Sequence, residues 1–564
     1  MRRCLWLASV MMMCPWGTSL ANAGDKDSRK VNRPEVDRIV SAGNESSQAM
    51  DHLDILCNRI GPRLTGSDNL TNACEWARGR FASFGIDNAR LEQWGEFPVG
   101  FNRGPWFGRV IQPESKALEF MTMAWSAGTK GSVRGKAVLA PKDKTELDLA
   151  KENGTLVGAW VLLPRPDRSG GARLNPAFVR SLRSELEGAK AAGIVAPSSN
   201  DLLVTAGVHR ISWDKLPTLP SVTLLRKQFE EIAGWIKEGK AVTLEFDIRN
   251  YFKPGPIKLY NVIADIPGVS LPDEYVIVGG HIDSWDGATG ATDNGTGVAT
   301  TLEAARILMK TGVKPKRTIR FMLWSGEEQG LLGSAAYVKA HKELTPKISA
   351  VLVHDGGTNF LSGIGATEAI LSDFEQVFTS VKDLDPKFPF ELRKIGGLFG
   401  GGSDHASFLA ANVPGFFWRQ DGRARYQRTH HTQYDTFDAA VPEYQRHSSL
   451  VVALAAFGIA DLDHLLSREK LRASGTMANR RTLGVQLDEL TVVEVVDDGV
   501  AQKAGIKDGD AILKIDGTKV ADRTELTRLL RAGEPKKVVT ILRDGKEVDI
   551  SVSWEPPTAA TSKP

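Results

Sequence analysis

The sequence predicts an α/β protein with a mostly parallel sheet covered by helices on both faces, carrying a small α/β insert and a separate C-terminal β-rich module. Three patterns carry this expectation. From Asn261 onward, apolar strand-like runs at 275–278, 318–324, 348–353 and 415–418 alternate with helical stretches such as 297–309 and 367–384. Such alternation builds parallel sheets with crossover helices. Between 131 and 247 the runs are shorter, with strands expected at 159–163, 193–196 and 221–224 and a helix at 181–192. After the polar stretch 467–480, short alternating strands are punctuated by Asp508-Gly509, Asp516-Gly517 and Asp544-Gly545, pairs that suit tight hairpin turns.

The other elements follow in order. Residues 1–23 carry Arg2 and Arg3, an apolar stretch from Leu5 to Met13 and then Ala21-Asn22-Ala23, the pattern of a cleaved signal peptide. Its apolar run is far shorter than the ~20 residues that span a bilayer, so export to the periplasm or the extracellular space is expected. Residues 33–92 read as helical with a break at Gly61-Pro62-Arg63-Leu64-Thr65-Gly66, and 442–466 as a long closing helix. The resulting plan is a discontinuous catalytic unit at 31–130 and 248–470, the insert at 131–247, the β-rich module at 478–555 and a disordered tail at 556–564.

With 564 residues, of which 42% are hydrophobic and 25% charged, the chain can bury several cores. Its 71 basic and 68 acidic residues nearly cancel, which excludes a nucleic-acid-binding surface read from net charge. No stretch after the leader is long and apolar enough for a transmembrane segment. Removing the leader leaves Cys57 and Cys74. An exported protein can join two such cysteines, and their apolar neighbours equally suit two buried thiols.

The chemistry gathers at strand ends. His281 and Asp283 follow the run 275–280, and Asp293 precedes a glycine-assisted turn into a helix. Glu327 and Glu328 follow 318–324, and Asp355 follows 348–353. His430 and His431 lie in a later loop. In parallel α/β sheets, ligands collect beyond the carboxyl ends of strands. Zinc takes imidazole nitrogen and carboxylate oxygen, and two zinc ions about 3.5 to 4 Å apart need one shared ligand and two more each. On this expectation Asp293 bridges, His281 and Asp355 complete one site, and Glu328 and a histidine of the 430–431 pair complete the other. Of the two adjacent acids one ligates, and Glu327 faces the reacting water as general base. Asp283 belongs to the catalytic machinery as an acceptor that fixes the His281 imidazole, and Asp286 is a second such acceptor.

Each signal alone has an ordinary explanation. An isolated Glu-Glu pair is commonly a solvated helix start, and His341, His447 and His464 read as solvated helix residues. Recurrence of metal-type residues just past successive apolar strands decides against coincidence. Serine chemistry lacks a Gly-x-Ser-x-Gly elbow. Gly402-Ser403-Asp404-His405 is contiguous, unlike a working triad, so residues 403–405 are expected in the pocket wall. No His-Glu-x-x-His helix is present.

The motifs Gly280-His281-Ile282-Asp283-Ser284-Trp285-Asp286, Thr292-Asp293-Asn294-Gly295, Trp324-Ser325-Gly326-Glu327-Glu328-Gln329-Gly330 and His431-Thr432-Gln433-Tyr434-Asp435-Thr436 resemble the co-catalytic two-zinc exopeptidase family of carboxypeptidase Q, glutamate carboxypeptidase and bacterial leucyl aminopeptidases. The resemblance spans about 31–466. It implies the zinc exopeptidase fold, two Zn²⁺ per chain, Glu327 as base, and His431 rather than His430 as ligand.

The insert resembles a protease-associated domain through Val161-Leu162-Leu163, the run 188–195 and Leu219-Pro220-Ser221-Val222. The last module resembles a PDZ domain through Leu483-Gly484-Val485 and the string 504–517. PDZ domains capture peptide C-termini by strand addition. Expected partners are therefore peptide substrates, a C-terminal peptide on the PDZ-like module, and a second copy of the chain in a homodimer. The expected activity is hydrolysis next to a free peptide end, with aminopeptidase and dipeptidase or carboxypeptidase action both open. The competing reading is a non-catalytic, receptor-like binding protein. For substrate contact, Tyr426 is the expected oxyanion donor, with Asp404 and Arg425 as further contacts.

Overall fold

Four parallel strands form one end of the main sheet, in the order Gly415–Phe417 at the edge, Ile348–Val353, Leu271–His281 and Arg317–Trp324. Every residue of Arg317–Trp324 and of Ile348–Val353 is buried, as expected of parallel strands covered on both faces. The computed structural model describes residues 34–164, 176–471, 481–488, 490–495, 499–543 and 545–554. The expected leader at 1–23, the linker residues 472–480 and the tail at 556–564 lie outside the described residues.

The strand Thr243–Ile266 joins the sheet antiparallel to Arg317–Trp324, from Ile319 opposite Ile266 to Leu323 opposite Val262. The strand Arg90–Gln112 pairs antiparallel with Thr243–Ile266, from Arg90 opposite Ile263 to Gln112 opposite Thr243. On one face, Val278, Phe321 and Leu352 pack with Leu302 of helix Thr296–Thr311 and Leu454 of helix Pro442–Ala460. On the other, Ile277, Met322 and Val351 pack with Tyr337 of helix Leu332–Ala340 and Phe408 of helix His405–Ala410.

The long antiparallel ribbon carries the sheet into the insert, where Val133–Leu139, Trp160–Leu162, Gly193–Pro197 and Ser221–Leu224 run parallel around Trp160 and Phe246. The C-terminal module has an antiparallel sheet and a core of its own, built on Leu483, Val492, Ile512, Leu526 and Ile541. Its Asp516 and Gly517, at φ 48° and 77°, link the paired Ile515 and Thr518, the left-handed pair that a two-residue hairpin requires. Among the described residues no helix is long and apolar enough to cross a membrane.

Several expectations need correction. The helical reading of 33–92 ends too late: helix Asp68–Ser83 is followed by Gly85 at φ 90°, and an extended strand starts at Arg90. A boundary at 131 divides the insert sheet, because Phe120–Thr122 pairs with Ser221–Leu224. The closing helix ends at Ala460, and 367–384 forms two helices, Glu368–Val377 and Thr379–Lys382. His447 is buried, its ring centroid 4.8 Å from that of Phe388, because the 384–388 loop covers its face of the helix. Cys57 and Cys74 are buried free thiols.

Candidate metal centre

Strand register brings the predicted residues together. His281 ends its strand directly opposite Trp324, and Val353 lies opposite Gly279. The segments beginning at His281, Ser325 and His354 therefore leave the sheet side by side. Gly326, at φ 77°, turns the chain so that Glu327 and Glu328 follow at once. Asp293 lies in the turn Ala291–Gly295, with φ −131° and ψ 88°, just before helix Thr296–Thr311.

His281 Nδ1 lies 3.0 Å from the Asp283 backbone carbonyl. A carbonyl only accepts, so Nδ1 carries a proton and Nε2 is the nitrogen left to ligate a cation. Nε2 faces Asp293 Oδ1 at 3.2 Å and Asp355 Oδ1 at 3.5 Å. On the other side of Asp293, Oδ2 lies 3.1 Å from His431 Nε2, which is 2.9 Å from Glu328 Oε2. Two candidate cation-binding clusters result, His281–Asp293–Asp355 and Asp293–His430–His431, and Asp293 belongs to both. His281 Nε2, Asp293 Oδ2 and Glu328 Oε1 are buried without a hydrogen-bond partner, and such acceptors facing acceptors fit a bound cation. The set of two imidazoles and three carboxylates suits zinc.

Proton affinities reflect the crowded carboxylates. Burial, reinforced by Asp293, raises Glu328 to about 8. Against burial, Asp293 and Glu328 raise His431 to about 10, and Asp355 and Glu327 raise His281 well above the ordinary histidine value. A cluster that draws protons onto its histidines attracts any cation. Burial also raises Glu327 well above the carboxylate range; His281 opposes this, and Asp355, Glu328 and Asp404 add to it.

His430 and His431 stack at 3.8 Å. Only His431 reaches both Asp293 and Glu328; His430 Nε2 is 3.7 Å from Asp293 and its side chain is 47% exposed. Asp355, Glu327 and Tyr426 line a cleft of about 500 Å³ together with Phe417, Gln420 and His431. Tyr426 packs over Gly357, where a Cβ would lie 2.7 Å from its ring. Burial, followed by the charges of Asp293 and Asp355, raises its hydroxyl far above the usual value, so Tyr426 stays a donor.

Two expected substrate contacts fail. Arg425 is exposed and absent from the cleft lining. Asp404 is fully buried and is pushed up to about 7, first by burial. Gly402, at φ 87°, faces the cleft instead, and the chain then carries Ser403, Asp404 and His405 into the interior. Asp286 does not orient the imidazole: its Oδ2 is 2.9 Å from Arg103 Nε on the long ribbon. The Asp283 carboxylate lies 3.6 Å from His281 Nδ1, and it is the backbone carbonyl of Asp283 that takes the closer contact.

Sequence reasoning missed several supports. Arg63, fully buried, donates to the carbonyls of Ile282, Thr289 and Gly290 at 2.8, 2.9 and 2.7 Å. Thr65 Oγ1 donates to Asp283 Oδ2 at 2.8 Å. Asp435 accepts the Thr292 N–H at 2.6 Å and its hydroxyl at 2.8 Å, which holds the turn carrying Asp293. The Gly61-Pro62-Arg63 break was the visible signal for Arg63, but it reads locally as a turn.

Residues 261–456, which hold this whole cluster, match the profile of peptidase family M28. This part of the chain belongs to peptidase family M28. Residues 471–553 match the PDZ domain. Mouse carboxypeptidase Q is 26% identical over 432 residues, which is 76% of this chain and 88% of the mouse protein. The human carboxypeptidase Q is 25% identical over 461 residues, 80% of this chain and 92% of the human protein. The crystal structure of a peptidase M28 precursor from Shewanella amazonensis SB2B superposes with a TM-score of 0.56 at 26% identity, covering 77% of this chain and 97% of that one. An M28 chain with this fold is a metallo-exopeptidase.

Proposed function

We propose that the chain hydrolyses peptide bonds next to a free terminus, using two zinc ions held by His281, Asp293, Glu328, Asp355 and His431. The observation that carries this reading is Asp293, which turns one carboxylate oxygen to His281 and the other to His431. His281 with Asp355 would hold one ion and Glu328 with His431 the other. Bound there, such a pair supplies Lewis acidity and a water that ionises near neutral pH.

The chain's own residues supply the remainder. Glu327 lines the cleft with a raised proton affinity, which suits a group that takes a proton from water and passes it to the leaving amine. Tyr426, kept protonated, donates toward charge developing on the scissile carbonyl oxygen. Phe417 and Trp418 give the cleft an apolar wall.

The cleft lining includes no lysine or arginine among the described residues. Three of the nearby arginines are engaged elsewhere, Arg419 with Glu391, Arg423 with Glu443 and Arg428 over the Tyr434 ring, and Arg425 is exposed outside the cleft lining. Carboxylates and the Gln420 amide line the cleft in their place. This favours a substrate read by its free amine over one read by its carboxylate. We further propose the insert as a protease-associated-type domain, the PDZ domain as a peptide-binding module, and export through the 1–23 leader.

Metal analysis of the purified chain, coupled to assays of amino-free and amino-blocked dipeptides, tests the reading. The expected result is about two zinc per chain, as a two-metal site requires, with hydrolysis of the amino-free series. One zinc or none, or preference for the blocked series, would contradict it.

A further inference from the structure

The insert reaches the metal centre through backbone hydrogen bonds. Val204 forms an antiparallel bridge with Thr432. The Thr205 N–H donates to the His431 carbonyl at 2.7 Å. The Leu203 N–H donates to Gln433 Oε1 at 2.8 Å, and Gln433 Nε2 donates onward to Glu119 Oε1 at 3.2 Å. Three consecutive residues, 431–433, are thus tied to the insert side of the molecule.

The tie falls on a residue that needs it. His431 sits at φ 56°, in the left-handed region that non-glycine residues seldom occupy without support from their surroundings. Thr205 also fills the space over Gly287, where a Cβ would lie 1.9 Å from its Cγ2. Its side chain, with Trp285, Asp293, Glu328 and His431, encloses a cavity no larger than a single water. The edge of the Trp285 ring meets His431 at 6.2 Å between centroids.

We infer that Thr205 and Gln433 are positioning residues: docking of the insert loop holds His431 in its left-handed conformation and so governs how long zinc is retained on the His431–Glu328 side of the centre. This rests on the two-zinc reading above. The bonds run from the insert side to the backbone of His431 and Thr432 and to the Gln433 side chain, not to the His431 ring, so the inserted segment acts on the ligand through the loop that carries it. Among the described residues no such backbone bond ties His281 or Asp355 to the insert, so the effect falls first on the His431–Glu328 side.

The test uses the full zinc-loaded chain and follows zinc transfer to a chromogenic chelator. The wild type should release two equivalents in two separable phases. Gln433→Ala removes both links of that side chain, and should accelerate one phase about tenfold or more while leaving the other within about twofold, a difference that general loosening of the fold does not produce. The double variant E119Q/Q433E exchanges donor and acceptor across the same contact and should restore the slow phase. Unchanged release from Gln433→Ala, equal acceleration of both phases, or failure of the exchange to restore release would overturn the inference. Fewer than two equivalents from the wild type would instead overturn the zinc reading beneath it.

Discussion

The carboxylate of Asp283 is the acceptor for the backbone of Glu327: its Oδ1 takes the Glu327 N–H at 3.3 Å, while its Oδ2 takes the Glu328 N–H at 3.3 Å and the Thr65 hydroxyl at 2.8 Å. One buried carboxylate therefore fixes the start of the segment that carries both acids. Asp283→Ala should lower kcat and zinc retention together by about 10- to 100-fold, the range found for supports of metal ligands. Steady-state kinetics with metal analysis checks this, and full activity at full zinc content would refute it.

Glu327 has a separate role. Glu327→Gln should keep its zinc and lose kcat by about 10²- to 10⁴-fold, because only proton transfer is removed. Unchanged turnover at wild-type zinc content would remove Glu327 from the mechanism.

Arg63 staples the loop from Ile282 to Gly290 to the N-terminal helices. Arg63→Met leaves several buried carbonyls without a donor and should destabilise the zinc-free protein by about 3 kcal/mol or more. Denaturant unfolding measures this, and a loss below about 1 kcal/mol would mean that the loop holds itself.

His447 gives a pH signature. Burial lowers its pKa from 6.5 to about 4, so the unfolded chain binds the proton more readily than the folded one. Its contribution to stability is present above about pH 6.5 and is lost as pH falls toward 4, up to about 3 kcal/mol. His447→Phe should flatten the fall of Tm across that window. A profile parallel to the wild type would show that His447 is not among the groups responsible.

Much of this protein was legible in the chain. The runs at 318–324 and 348–353 mark strands because burial on both faces demands unbroken apolar residues, and that is a local property. The residues just past those strands, His281, Glu327, Glu328 and Asp355, were readable for the same reason, since strand direction fixes which end carries the site. Resemblance was needed to prefer His431 over His430, because neighbours in a loop have no periodicity to separate them.

Tertiary structure decided the rest. Arg63 meets Ile282 across a separation of 219 residues, and Leu203 meets Gln433 across 230; no local pattern encodes such meetings. Asp404 and Arg425 were both expected to touch the substrate, yet the chain after the Gly402 turn buries one and the later loop leaves the other in solvent. Sequence determined which groups stand at the sheet edge, because backbone periodicity is set by adjacent residues. Only the folded chain determined how they are held, because each support arrives from a distant segment whose approach depends on the packing of the whole.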